Sequence, residues 1–498
     1  MNWIKKLANH SSQYFIGEIL VIGASFISFP VFVKILTLEE YGIMNIVSMT
    51  IRLMVFITAA GLKPALFRFY SDYQKQSEMA ATRLFTTLFW TTFFISFIGV
   101  ILLNIIRFVP ENSFISHDTL HLLGFAAILV VFQNLAELIF ALVRIKEKVT
   151  FYVVGHVLQR YAGMIFAVIF LVYFEHRLRG LYEGLILGEG LILFFLIVYI
   201  IFHYRATLFQ FSYTDLKTSA RYGIPLIGQN ISHFINSVGD RYVIQFFMGE
   251  TAVALYSFGY NLASYVQNLF VDTLDAALVP ITMNISARQG QAETEKFISQ
   301  YFSIYIMIAF PVIFGLIAIT YDITLVIATK EYLAATQLVA WVIIGVMIAG
   351  AFFPTTVGLH IQKKTGVIAR LMLYTALLNM ILNVLFVPIW GINGAAVATL
   401  ISCFFQVVIG FIKSSPYIKI KPDFRCYLIC FLSSIGMYFA LQLTHFPFKS
   451  QLINLLLKII LGITIYIIPI YIFDHKSRYY IRQIYEKLYG KITNAPKS

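Results

Sequence analysis

Cysteine is nearly absent from this chain. Only Cys403, Cys426 and Cys430 occur, all in or beside apolar runs, so no extracytoplasmic disulfide framework is expected. Charge is scarce as well: Asp, Glu, Lys and Arg make up 12% of residues against 59% hydrophobic ones, which excludes a soluble domain. Polar stretches are missing too. The longest between apolar runs, near 63–83, spans about twenty residues, looks amphipathic, and is too short for a soluble catalytic domain. No Gly-x-x-x-x-Gly-Lys-Ser/Thr segment is present, which argues against a built-in ATPase. The ten His form no His-Glu-x-x-His. His117 and His121 flank Asp118 at the start of an apolar run and read as solvated interfacial side chains rather than metal ligands. No metal and no cofactor is expected.

What the chain does have is apolar length. Runs lie near 14–36, 43–62, 84–106, 119–143, 152–174, 181–203, 219–246, 252–283, 297–320, 335–360, 367–389, 394–412, 426–444 and 451–473. Most reach about 20 residues, the length of helix that crosses a bilayer core. The fold class read from this is an all-α polytopic membrane protein with about 14 transmembrane helices.

Most of the 37 Lys and Arg fall on one side of that pattern. The N-terminus and even-numbered loops hold Lys5, Lys6, Lys63, Arg68, Lys75, Arg83, Arg144, Lys146, Lys148, Arg205, Lys217, Arg221, Arg288, Lys296, Lys363, Lys364, Arg370, Lys413, Lys419, Lys421 and Arg425. The tail adds Lys476, Arg478, Arg482, Lys487, Lys491 and Lys497, whereas odd-numbered loops hold only Arg107, Arg177, Arg179, Lys330 and Lys449. Basic loops stay cytoplasmic, so both termini are expected there and the helix count is expected to be even. The net charge of +13 then belongs to short loops facing anionic headgroups. Nucleic acid is not an expected partner, since no basic helix is long enough to track a groove. Lys5 and Lys6 precede an apolar run longer than a signal h-region, with no small-residue cleavage site, so no cleavable signal is expected.

Two local matches suggest a tandem repeat. Leu36 to Asn45 resembles Met248 to Ser257, and Gly180-Leu181-Tyr182-Glu183-Gly184 resembles Gly391-Ile392-Asn393-Gly394-Ala395. An offset spanning six helices preserves orientation, so the halves are expected to be parallel. The division expected is a six-helix bundle at 1–215, a second at 216–420, two extra helices at 421–475 and a basic cytoplasmic tail at 476–498. Gly180, Gly184 and Gly188 recur every four residues and read as a close-packing face, not a phosphate loop.

Polar residues inside these runs form stripes. Gln229, His233, Asn236 and Asp240 follow helical spacing, as do Asn261, Tyr265, Asn268, Asp272 and Asp275. Arg52 lies deep in the second run, Asn134 and Glu137 in the fourth, His156 and Arg160 one turn apart in the fifth, and Glu18 in the first. An intramembrane charge costs about 2.5–3.5 kcal/mol on insertion scales and normally faces protein or a water-filled cavity. Buried ion pairs and interhelical hydrogen bonds are the bland reading, preferred for Glu137, His156, Arg160 and Asn134. Cavity lining is preferred for Arg52, Asp240 and Arg241, in one polar cavity between the halves that Gln229, His233, Asn236, Tyr265 and Asn268 would share. Glu18, Asp272 and Asp275 are candidate ion-coupling carboxylates.

The segment Asn379 to Thr399, with Asn383, Pro388, Gly391, Gly394, Ala395 and Ala396, resembles a pattern of the Wzx-type polysaccharide repeat-unit flippases, within the multidrug/oligosaccharidyl-lipid/polysaccharide exporter superfamily. Tyr222-Gly223-Ile224-Pro225 followed by Asp240-Arg241-Tyr242, and Gly61 to Tyr70, resemble two more of its patterns. Val253-Ala254-Leu255-Tyr256 departs from the family's usual Val-Gly-Leu-Tyr turn. The resemblance covers nearly the whole chain. It implies a non-enzymatic transporter in the bacterial cytoplasmic membrane. This would move an undecaprenyl-diphosphate-linked glycan to the outer leaflet by alternating access, for O-antigen, capsule or exopolysaccharide synthesis. Arg52 and Arg241 would attract the diphosphate, since guanidinium suits forked phosphate contacts. Partners implied are the lipid-linked glycan, membrane lipids, H+ or Na+ as a coupling ion, and the polysaccharide polymerase machinery. A multidrug antiporter of the same superfamily and a lipid II-type flippase stay open as alternatives.

Overall fold

A computed structural model describes residues 2–106, 116–173, 177–204, 210–444 and 446–473. Arg107, Arg205 and the basic tail at 476–498 lie outside the described residues. Every described element is helical. The order is α1 (Asn2–Ile35), α2 (Leu38–Thr58), α3 (Leu62–Gln76), α4 (Glu78–Ile106), α5 (His117–Ala126), α6 (Ile128–Ile145), α7 (Val149–Tyr173), α8 (Arg177–Tyr204) and α9 (Tyr213–Met248). Then follow α10 (Glu250–Gln267), a π-turn (Asn268–Asp272), α11 (Thr273–Gln289), α12 (Gln291–Ile327), a 3-10 turn (Lys330–Ala335), α13 (Thr336–Gly350) and α14 (Phe352–Ile361). The described residues end with α15 (Thr365–Trp390), α16 (Ile392–Ser414), α17 (Phe424–Leu443) and α18 (Gln451–Phe473).

Among the described residues, 11 helical spans are long and apolar enough to cross a membrane. Large apolar side chains such as Phe194, Phe195, Ile389 and Leu443 point outward, as expected where the surrounding solvent is lipid. Proline is kept inside helices at Pro30, Pro225, Pro280, Pro311, Pro388 and Pro469, which neighbouring helices can tolerate by re-satisfying the freed carbonyls.

Compact packing divides the chain into two units, Met1–Ala254 and Leu255–Ser498. The core of the first joins α3, α4, α6 and α8 through Leu62, Leu66, Leu84, Leu88, Ile139 and Leu196. The amphipathic stretch near 63–83 provides α3, whose buried Leu62, Ala65, Leu66 and Tyr70 share one face. Helix α9 packs on α2, α3 and α4. Gly61 makes this possible: its left-handed φ of 67° turns the chain between α2 and α3, and its Cα lies against the Gly223 carbonyl of α9.

Helices α7 and α8 pack most extensively. A Cβ at Gly184 would strike the Phe166 carbonyl, and one at Gly188 would sit 2.8 Å from Gly163 Cα. The glycine face read from the sequence is therefore the surface of this antiparallel contact. In the second unit α15 and α16 make a comparable pair, closed by Gly391 (φ 59°) and by Gly394 against the Phe386 carbonyl. There α17 and α18 pack on α12 around Ala318, Cys430, Met437 and Tyr466.

Candidate functional site

The first unit gathers three arginines from three helices. Arg52 on α2 has an exposed side chain, and the charges of Arg160 on α7 and Arg241 on α9 both act on it. Helix α2 is set against α9 by Met49, Phe234 and Val238 and by a 3.0 Å hydrogen bond between the Thr50 and Tyr242 hydroxyls. That contact puts Arg52 at the level of Asp240 and Arg241. Helix α7 is fixed along α1: Tyr161 Oη donates to the Leu20 carbonyl at 3.2 Å, and Arg160 Nη2 donates to Ser25 Oγ at 3.0 Å.

The three cations are not equivalent. Arg241 is 2% exposed and Asp240 3%. Arg241 Nη1 donates to Asp240 Oδ1 at 3.1 Å and to the Ser237 carbonyl at 2.9 Å. The angular offset of adjacent helical residues, about 100°, is bridged by the length of the arginine side chain, and the two charges compensate each other. Arg52 and Arg160 are exposed, and among the described residues neither has a carboxylate in an ion pair. The open positive charge of the site is therefore carried by Arg52 and Arg160, with Arg241 neutralised by Asp240.

Other residues singled out from the sequence distribute as follows. Asn236 is partly buried on α9, one turn before Asp240. Tyr265 on α10 and Asn268 at the head of the π-turn are partly buried in the second unit. Asp275 accepts a 3.2 Å hydrogen bond from Tyr301 Oη. The side chains of Glu18, Gln229, His233 and Asp272 lie outside the described residues. The single face expected for Asn261, Tyr265, Asn268, Asp272 and Asp275 is interrupted, because the π-turn inserts a wider turn and breaks the spacing. Asn134 donates to Thr58 Oγ1 at 2.8 Å and Ser96 Oγ at 2.9 Å, joining α6 to α2 and α4. Glu137 pairs with Lys63 of α3, and His156 stacks on Phe140 with ring centroids 4.0 Å apart.

One charged residue near this site drew no functional reading from the sequence. Glu189 on α8 accepts a 3.0 Å hydrogen bond from Gln133 of α6 and lies within the field of Arg160. Its signal was a single carboxylate inside an apolar run, masked by flanking Gly188 and Gly190.

Residues 31–337 match the family described as Polysaccharide biosynthesis protein. The chain belongs to that family. Over 92% of its length it is 21% identical to a probable low-salt glycan biosynthesis flippase, Agl15, of Haloferax volcanii, covering 93% of that protein. It is 23% identical over 55% of its length to Lsg locus putative protein 1 of Haemophilus influenzae, covering 65% of it. The fold is similar to that of the lipid II flippase MurJ in an inward closed conformation, at a TM-score of 0.76 and 18% identity over 94% of this chain and 99% of that one. It is also similar to an inward-facing MATE family transporter of the MOP superfamily, at a TM-score of 0.64 and 15% identity over 80% and 93% of the two chains. The family resemblance read from the Asn379–Thr399 and Asp240-Arg241-Tyr242 segments is borne out, and the polysaccharide biosynthesis family member is a multi-pass membrane protein.

Proposed function

We propose that this family member is a flippase that moves undecaprenyl-diphosphate-linked oligosaccharide repeat units from the cytoplasmic to the outer leaflet of a bacterial cytoplasmic membrane. The observation that carries the reading is the pair of exposed arginines, Arg52 and Arg160, inside apolar helices and with Arg241 in the same field. Cations at that depth are costly, and an anionic group is what offsets the cost. A diphosphate is such a group, and guanidinium can hold it by two hydrogen bonds at once. The named function of the Haloferax relative supports a glycan-lipid substrate over a cationic drug. Asn236, Tyr265, Asn268, Gln229 and His233 are the side chains suited to glycan hydroxyls.

The remaining design follows the same logic. Fourteen passes place both termini in the cytoplasm, on the basic side of the loop pattern. Two parallel six-helix bundles alternate access to the site, with the last two helices outside the pair. H+ or Na+ supplies the coupling ion, the polymerase machinery receives the product, and no bond in the glycan is made or broken.

The test is complementation of cells lacking their own flippase, at native expression. Arg52→Ala should be made and inserted normally yet export no polymer, and Arg52→Lys should retain part of the transport. Normal surface polysaccharide in Arg52→Ala cells rejects the assignment.

A further inference from the structure

Glu189 is a carboxylate in an unusual setting. One oxygen accepts from Gln133 Nε2 at 3.0 Å. The other, Oε2, is sealed from solvent and has no hydrogen-bond partner among the described residues. An ionised carboxylate offers about four lone-pair sites, so this one is under-satisfied as an anion. In a low-dielectric interior that deficit is costly. A protonated carboxyl removes the charge and needs fewer partners.

The surroundings give the proton a consequence. Helices α5, α6 and α7 pack on α8. From α7, Arg160 acts on Glu189, but its guanidinium donates to Ser25 Oγ and makes no direct ion pair with the carboxylate. His156, one turn before Arg160, is stacked on Phe140. From α6, Gln133 faces Glu189, while Glu137 is held by Lys63. On α8 itself, Glu183 pairs with Arg179 at 3.1 Å, and α5 contributes Phe125 beneath Arg179; its His117, Asp118 and His121 lie in its first turns. Glu189 is thus the carboxylate that offsets Arg160 at longer range, as Asp240 offsets Arg241 by contact.

We propose that Glu189 is a proton-binding site whose occupancy, acting through Arg160, sets the positive charge that Arg160 and Arg52 present to an anionic headgroup. Ionised Glu189 damps the field of Arg160. Protonated Glu189 releases it, and the pair of exposed arginines attracts an anion more strongly. Linkage makes this reciprocal: a diphosphate bound at the arginines raises the proton affinity of Glu189 and draws a proton in. The anion part of this inference rests on the proposed function; the proton site itself does not.

The experiment uses the full chain in lipid nanodiscs, with pH-difference infrared spectroscopy and binding of a polyprenyl diphosphate lipid. A carboxylic-acid band that titrates in the wild type should vanish in Glu189→Gln and persist to more alkaline pH in Arg160→Gln. The wild type should bind the lipid on the order of tenfold tighter at about pH 6 than at about pH 8, within the usual range of coupling between sites. Glu189→Gln should hold the tighter affinity at both. The Arg160→Gln shift is an independent readout where Glu189→Gln accumulates poorly. A titrating band unchanged in both variants overturns the proton site. Lipid binding with the same pH dependence in wild type and Glu189→Gln overturns the linkage and leaves the flippase reading standing. A band lost in Glu189→Gln with no lipid bound at either pH supports the proton site and overturns the flippase reading.

Discussion

Lys458 of α18 and Asp322 of α12 form a 2.7 Å ion pair, with side chains 11% and 23% exposed. It ties the last described helix to the body of the second unit. Removing one partner of a largely desolvated pair leaves the other charge uncompensated, whereas replacing both with apolar groups avoids the penalty. Lys458→Met and Asp322→Leu should each cost about 2 kcal/mol, below the full buried-pair figure because both groups keep some exposure. The double variant should recover most of that loss. Thermal unfolding in detergent reads it, and single variants as stable as the wild type would show the pair to be idle.

The α3–α9 contact depends on two glycines. A Cβ at Gly223 would lie 2.5 Å from the Gly61 carbonyl oxygen, whereas one at Gly436 of α17 meets nothing within 4 Å. Both are interior helical positions, where Gly to Ala gains about 1 kcal/mol of helix propensity. Gly436→Ala should therefore be neutral or stabilising, and Gly223→Ala should lower the melting temperature and the amount of protein in the membrane. Equal behaviour of the two would mean the backbones can separate without loss.

Asp215, at the start of α9, is buried, with its side chain 5% exposed. It accepts from Tyr73 Oη and from Arg83 Nε, both at 3.0 Å. Arg83 is 45% exposed and can be hydrated when its partner is gone. Arg83→Ala strands a buried carboxylate; Asp215→Ala strands groups that water reaches. The expected order of destabilisation is Arg83→Ala greater than Asp215→Ala, by about 1 kcal/mol. Denaturant unfolding of the two variants checks the sign, and the reverse order contradicts the burial argument.

Loop charge sets the topology test. Reporter fusions after Phe108 and Phe446 should read outside, and fusions after Tyr204 and Ser414 inside. A reversed result at two of the four sites would discard the orientation.

Legibility differed residue by residue. Asn134 was readable as an interhelical hydrogen-bonding group because a buried amide must find partners wherever it lands, and it found Thr58 and Ser96. Gly184 and Gly188 were readable because a four-residue glycine spacing has one main use between membrane helices. The neutralisation of Arg241 by Asp240 was not readable from helical offset alone, since side-chain reach decides it. The π-turn at Asn268–Asp272 leaves no mark in the spacing of the polar residues. Glu189 is not legible in the sequence, because its setting is made by Gln133 and Arg160, which belong to other helices.

The sequence by itself determined that this protein is a helical membrane protein of the polysaccharide biosynthesis family and which residues its apolar helices carry at depth. Hydrophobic length and loop charge act locally, through the transfer of each segment into lipid, so they can be read one segment at a time. Only the tertiary structure decided which charges meet. It brought Arg52, Arg160 and Arg241 from α2, α7 and α9 into one field, cancelled one of them with Asp240, and set Glu189 within the field of another without direct contact. Electrostatic interaction depends on distance and on burial in three dimensions, and neither quantity is a property of any single helix.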